Sequence, residues 1–281
     1  MSLVHERTEF IVPGPAEGLA ALLGVDLPDL AAGEGLPTGW HWIYLLDRPA
    51  QADVGHDGHP RRNVIPAPPG PGRRRMWAGG QIRTFAPLRT GEEATRRTWV
   101  QSIREKEGRS GRLVFVAVEH EISQAGGVVI RERQDIVYRD AVTPTGQPAA
   151  PRHTAVPEAR ATGACGAADW FIETSPTLLF RFSALTYNGH RIHYDRDYAC
   201  AVEGYPGLVV HGPLQALAMT EAARAAGVHP RDSTTFDYRL VAPMFEDDGM
   251  FVAAAAGEEG VDTMVRDAGG RQTALGKIQA S

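Results

Sequence analysis

Two regions of the chain alternate apolar and polar residues in short runs that glycine turns interrupt. In the first, residues 83–88, 95–103, 113–122 and 128–138 read as strands, separated at Gly91, at residues 108–111 and at Gly126 and Gly127. The fourth run carries Glu132 and Asp135 between apolar positions, the pattern of a half-exposed antiparallel strand. In the second region, residues 234–241, 250–256, 261–266 and 272–278 repeat the arrangement, with turns at residues 247–249, 257–260 and 269–270. A helix precedes each set. Residues 15–23 form a short one that Gly24 ends, and residues 213–226 a longer one with Pro213 in its first turn and Gly227 after its last. Within the longer helix only Gln215, Thr220, Glu221 and Arg224 are polar, so its apolar surface runs nearly all round and a sheet must wrap it. The expected fold class is α+β: two bent antiparallel sheets, each wrapped around a central helix. Residues 141–160, rich in Pro, Ala and Thr and without either period, form a linker between an N-terminal domain at 1–140 and a C-terminal domain at 161–281.

Other stretches refine this outline. Residues 39–46 hold Trp40, Trp42 and Tyr44 in a short apolar run, a strand or a packed aromatic anchor. Residues 47–75 contain Asp57-Gly58 and several prolines, the composition of a long loop. That loop ends in an arginine-rich turn, Arg73, Arg74 and Arg75. Trp77 and Gly79 are grouped with the turn as candidate substrate-binding residues, Trp77 expected behind the arginines and Gly79 letting backbone approach a ligand or a neighbouring chain. Residues 165–171 read as a short helix or turn.

Composition narrows the classes. With 43% hydrophobic and 22% charged residues, the chain is globular. A net charge of -5 gives no field to attract a nucleic acid backbone. Cys165 and Cys200 are far apart in sequence, so neither a disulfide framework nor a cysteine metal cluster is indicated, and a reduced cytoplasmic setting is expected. No apolar run approaches membrane-spanning length.

The chemistry concentrates in residues 178–214. Thr186, Tyr187, Asn188, His190, Arg191, His193, Tyr194 and Asp195 lie there between two apolar runs, and polar groups held near a core need partners or a purpose. The span from Phe182 to Asp195, followed by Gly207-Leu-Val-Val-His-Gly212, resembles the MaoC-like hydratase and dehydratase family. The upstream run from Arg74 to Gly80 is similar to the companion half of the branch that contains mesaconyl-C4-CoA hydratase, itaconyl-CoA hydratase and the type 2 hydroxyacyl-thioester dehydratases. The resemblance implies a double hotdog fold and reversible water addition to a 2-enoyl thioester. It places His193 on the family's catalytic histidine, Asn188 on its catalytic aspartate, His190 on its asparagine and Arg191 on its proline. The missing aspartate leaves open which group balances charge on His193.

Such a reaction needs a group that takes a proton from water, a donor for the α-carbon, and donors for the enolate-like oxygen. His193 suits the first role because imidazole titrates near neutrality. Asn188 is not basic but can hold water by its amide. His190 is placed to orient water or bond substrate. Backbone N–H groups at Gly212 are candidates for the thioester oxygen, with His211 fixing the loop before the helix. Arg73, Arg74, Arg75 and Arg191 are the candidates for a substrate phosphate or carboxylate. Tyr187, Tyr194 and Asp195 read as packing or supporting groups. His190 and His193 lack a third ligand at metal-site spacing, and neither metal nor cofactor is implied.

The expected partner is a small-molecule acyl-CoA, a short branched dicarboxylic enoyl-CoA such as mesaconyl-C4-CoA or itaconyl-CoA. The alternatives are a 3-hydroxyacyl chain on CoA or acyl-carrier protein, a noncatalytic acyl-thioester binding module, and thioester hydrolysis. No nucleic acid or membrane partner is expected, and a homodimer is compatible with the sequence.

Overall fold

A computed structural model describes residues 3–62, 73–108, 111–140, 169–229 and 233–280. The linker expected at 141–160 lies outside the described residues, as does Cys165. The strands are β1 (His5–Phe10), β2 (Arg73–Thr84), β3 (Glu93–Gly108), β4 (Gly111–Gln124), β5 (Gly127–Asp140), β6 (Asp169–Ile172), β7 (Thr234–Leu240), β8 (Met250–Gly257), β9 (Gly260–Arg266) and β10 (Gln272–Ala280). The helices are α1 (Pro13–Leu23), α2 (Pro176–Leu185) and α3 (Gly212–Ala225).

The two expected sheets join edge to edge into one ten-stranded antiparallel sheet, ordered β1-β3-β4-β5-β2-β7-β10-β9-β8-β6. The seam is β2 against β7, running from Gly79 opposite Arg239 to Thr84 opposite Thr234. Gly79 and Gly80 belong to this seam. A Cβ on Gly79 would meet the Tyr238 carbonyl at 2.4 Å, and one on Gly80 the Arg133 carbonyl at 2.2 Å, so the close approach these glycines permit is strand to strand.

Three local expectations are corrected. Arg73, Arg74 and Arg75 open strand β2 and do not form a turn. The 83–88 run leaves the sheet after Thr84, as Pro87 offers no N–H to a ladder, and Leu88 instead bridges Leu36. Of the two readings of residues 39–46 the strand fails and the packed aromatic anchor holds: Trp40–Ile43 is a 3-10 turn, with Trp40 and Tyr44 fully buried and Trp42 half-buried. A fourth difference falls at 165–171, where the described part is the edge strand β6, paired with β8.

Helix α3 is the centre of the molecule. Every residue from 214 to 223 is buried, and the helix packs against β8, β9, β10 and β2. Alanines let the sheet close on it, while Leu214, Leu217 and Met219, each fully buried, contribute about 1.5–3 kcal/mol apiece. Its polar residues have partners: Gln215 accepts from Thr273 at 2.7 Å, and Glu221 accepts from Arg224 and from the indole of Trp40 at 2.7 Å. The Trp40 contact ties the first half to the second through their common core. No helix among the described residues is long and apolar enough to cross a membrane.

Candidate active site

The site loop begins where α2 ends. Ser175 caps the helix by accepting from the Leu178 N–H at 3.3 Å, and Pro176 starts it. After Leu185 the chain turns through Tyr187, a non-glycine residue at φ 52°. The Asn188 N–H returns to the Ser183 carbonyl at 2.8 Å, and the Asn188 side-chain oxygen accepts from the His190 N–H at 3.0 Å. The side-chain oxygen of Asn188 is therefore spent on its own turn, as Asn often is in loops. A short 3-10 turn, Arg191–His193, then carries His193 inward.

His193 is held by the loop before α3. The Val209 N–H donates to the Ile192 carbonyl at 2.9 Å, and the Val209 carbonyl accepts from His193 Nδ1 at 2.7 Å. A carbonyl can only accept, so Nδ1 carries the hydrogen, and in the neutral ring Nε2 keeps its lone pair. Glu246 fixes this loop in turn. It accepts from the Leu208 N–H at 2.7 Å, donates its own N–H to the Leu208 carbonyl at 2.8 Å, and pairs with Arg196 at 2.8 Å.

His211 lies fully buried behind His193, the rings stacked at 3.6 Å, and His211 Nε2 bonds Ser183 Oγ at 2.8 Å. Burial lowers the pKa of His193 to about 4, against the opposing pull of the Val209 bond. Burial likewise holds His190 and His211 well below the usual range, helped by the charges of their neighbours. All three rings are neutral at neutral pH.

A loop of the first half completes the site. Residues 55–61 fold on themselves, with the Gly55 N–H bonded to the His59 carbonyl at 2.7 Å, and then dock on the site loop. The Arg191 N–H donates to the Asp57 carbonyl at 2.9 Å, and the Arg191 guanidinium to the His56 carbonyl at 3.2 Å. Gly58, at φ 92°, touches Gly189 so closely that a Cβ would stand 1.7 Å from its carbonyl oxygen. The His59 and His190 ring centres are consequently 4.1 Å apart. Asp57 accepts from both the His59 N–H and His59 Nδ1, each at 3.0 Å. Burial lowers the pKa of His59 and Asp57 opposes it; burial would raise that of Asp57, but the bonds from His59 bring it below the ordinary value.

These groups open on a cavity of about 410 Å³ with walls from both halves. His59, Arg75, Met76 and Trp77 face His190, His193 and Gly212 across it. Arg75 is partly buried and makes no ion pair among the described residues. Asp57, His59 and His190 offer ligand atoms within 4.8 Å of one another, a grouping that 130 residues of sequence conceal. His59 Nδ1 is already committed to Asp57, and the charge of Arg75, which lowers both His59 and His190, opposes a second cation there.

Of the residues named from the sequence, His193, His190, Gly212, Arg75 and Trp77 line this cavity. The others do not. Arg191 is held by Asp195 at 2.7 Å and stacked over Tyr198, and Arg74 by Glu203 at 2.8 Å and over Tyr205, so neither guanidinium is free for substrate. Asn188 bonds its own loop, His211 supports His193 from behind, Gly79 serves the strand seam, and the Arg73 side chain lies outside the described residues. Asp57 and His59 escaped sequence reasoning. The available signal was an Asp-Gly turn followed by histidine inside a long loop, and long loops in compact domains are often functional.

A family model, hydroxyacyl-thioester dehydratase type 2, matches residues 39–246. The chain belongs to this family. Like other MaoC-like hotdog proteins it is an enzyme, a hydratase or dehydratase acting on an acyl thioester. It is 44% identical over 237 residues to mesaconyl-C(4)-CoA hydratase from Chloroflexus aurantiacus, covering 82% of this chain and 79% of that protein. In fold it is similar to HtdX from Mycobacterium tuberculosis, with a TM-score of 0.65 at 16% identity over the full length of both chains. A second Mycobacterium tuberculosis protein, described as a double hotdog, gives a TM-score of 0.56 at 15% identity over 99% of this chain and 95% of that one. The family member described here thus has the double hotdog architecture, with its sheet continuous through β2 and β7.

Proposed function

We propose that the protein adds water reversibly to a short branched dicarboxylic enoyl-CoA of the mesaconyl-C4 type. The observation that carries this reading is one cavity holding both an uncommitted proton acceptor, His193 Nε2, and a cation without an ion pair among the described residues, Arg75. The activity of the relative at 44% identity supports it. Arg75 takes the free carboxylate of the acyl group through paired N–H bonds that Lys reproduces less well. The N–H of Gly212 at the start of α3 meets the thioester oxygen, where negative charge develops as the β-carbon is attacked. His193 takes the proton of the attacking water, and His190 bounds the water site. In this scheme the second half supplies the reacting histidines and the first half the acyl pocket, Met76 and Trp77 included.

The family match favours one other substrate class, a 3-hydroxyacyl thioester without the second carboxylate, on CoA or on acyl-carrier protein. Following loss of the conjugated double bond on mesaconyl-C4-CoA and on a straight-chain enoyl-CoA separates the two. A higher kcat/KM for the dicarboxylic substrate, reduced in Arg75→Lys chiefly through KM, is expected. Equal kcat/KM for both, unaltered in that variant, would overturn the dicarboxylate assignment.

A further inference from the structure

The family's catalytic aspartate is absent at Asn188, yet a carboxylate reaches the same histidines from the other half of the molecule. Asp57 bonds His59 by both carboxylate oxygens, His59 lines the cavity, and His190 lies between His59 and His193, with ring separations of 4.1 and 5.4 Å. We propose that His59, backed by Asp57, is a second catalytic acid–base residue: it delivers the α-carbon proton in hydration and removes it in dehydration, while His193 handles the proton of the β-hydroxyl. The proposal rests on the hydratase reading above and extends it.

The step balances. In hydration His193 Nε2 takes a proton from water as the water oxygen bonds to the β-carbon, and the double-bond electron pair moves onto the thioester oxygen. That pair then forms the α-carbon–hydrogen bond with the Nε2 proton of a His59 imidazolium, which is left neutral. The substrate has gained one water, and one proton has moved within the protein from His59 to His193. Its return resets the site, and the ring of His190 lies between the two.

Three observations favour His59 for the proton-donating part. First, His59 Nδ1 is engaged by Asp57, so Nε2 is the nitrogen left for the cavity. Second, burial and the charge of Arg75 lower the pKa of His59 on balance, but Asp57 is a carboxylate that opposes them through the bond at Nδ1 and its charge, whereas His193 has only the neutral carbonyl of Val209. Third, the rings oppose one another's charge: His59 and His193 both lower His190, and His59 lowers His193, so the array favours one proton at a time. The charged groups facing this array are Asp57 on its own loop and Arg75 from β2, with the Tyr138 hydroxyl of β5 beside both, and Arg139 of β5 lines the same cavity. The docking of Gly58 on Gly189 and the Arg191 bonds to the 56–57 backbone give the loop a fixed seat.

The test separates carbon–hydrogen chemistry from water addition. The probe is methylsuccinyl-C4-CoA, the saturated analogue of mesaconyl-C4-CoA, which cannot lose water but has exchangeable α-hydrogens. In D2O the wild-type protein is expected to exchange those hydrogens, read by proton NMR. His193→Gln should keep that exchange and lose hydration of mesaconyl-C4-CoA. His59→Gln should lose both by about 100-fold. Asp57→Asn, which keeps an oxygen acceptor for His59 Nδ1 but removes the charge, should slow exchange at least about tenfold and move its pH profile.

A cooperative thermal transition checks that each variant is folded, and added imidazole should restore exchange to His59→Ala. Wild-type exchange in folded His59→Gln overturns the proposal, as does a wild-type protein that binds the analogue without exchanging it. Exchange without hydration of mesaconyl-C4-CoA by wild type would instead remove the substrate reading and leave the His59 assignment standing.

Discussion

Each half of the molecule buries a cluster of histidines, and the two clusters differ in what their partners leave free. In the first half Glu132 sits at the centre. It accepts from His41 at 2.9 Å, Trp42 at 2.8 Å and Gln134 at 2.8 Å; burial pushes its pKa up, but His41, His120 and Gln134 together bring it down to about 2. In the second half His190, His193 and His211 have no carboxylate among their hydrogen-bond partners, and burial takes His193 down to about 4. The first cluster is closed, an anion satisfied by donors within the core. The second is open, since His193 bonds through Nδ1 and turns Nε2 to a cavity. Burial and polarity alone therefore do not mark a site. An uncommitted lone pair facing a cavity does.

Separating the halves breaks the comparison most severely. A fragment of residues 161–281 loses the β2 partner of β7 and the wall formed by His59, Arg75, Met76 and Trp77, and is expected to be inactive and prone to aggregate through the bare strand edge. A soluble, monomeric fragment with full turnover would show that the halves are independent.

Point changes at the two clusters should then part company. His193→Gln is expected to cost at least about 100-fold in kcat with little change in the unfolding midpoint. Glu132→Gln should leave kcat within a few-fold but lower stability by about 3–5 kcal/mol, since it removes the anion from a buried paired group. Denaturant titration beside steady-state kinetics reads both, and a catalytic loss in Glu132→Gln without loss of stability would put the closed cluster in the reaction.

Acid should act on the clusters in different ways. Because the folded pKa of Glu132 is depressed, its stabilisation is complete above the ordinary carboxylate value and fades as pH falls toward 2, a contribution of about 3 kcal/mol. His193 must be neutral to accept a proton, so its acid limb in the rate profile should fall near pH 4 rather than near the usual imidazole value. A limb at the usual value would mean that the ring is not buried in the working enzyme.

The smallest effect is expected at Asn188. Its side chain closes a turn and does not line the cavity, so Asn188→Ala should lower stability by about 1 kcal/mol and kcat by only a few-fold. A loss comparable with that of His193→Gln would return Asn188 to the reacting groups.

The sequence alone determined the parts governed by local chemistry. Periodicity located β3, β4, β5 and β7 to β10, though not the short edge strand β6, because residues on a half-buried strand must alternate, and the absence of a polar face on α3 disclosed that a sheet surrounds it. The Asn188 to His193 motif marked the loop whose His190 and His193 line the cavity. Only the tertiary structure decided which polar groups remain free. Arg73, Arg74, Arg75 and Arg191 are equivalent as letters, but Glu203 holds Arg74 and Asp195 holds Arg191, leaving Arg75 in the cavity without an ion pair among the described residues. Glycines at 79 and 80 carry no label saying whether a ligand or a strand comes close. Asp57 and His59 stand more than 130 positions before His193, and nothing local reports the contact of Gly58 with Gly189 that brings them to it. Hydrogen-bond commitment and long-range docking are properties of neighbours in space, and the chain acquires those neighbours only on folding.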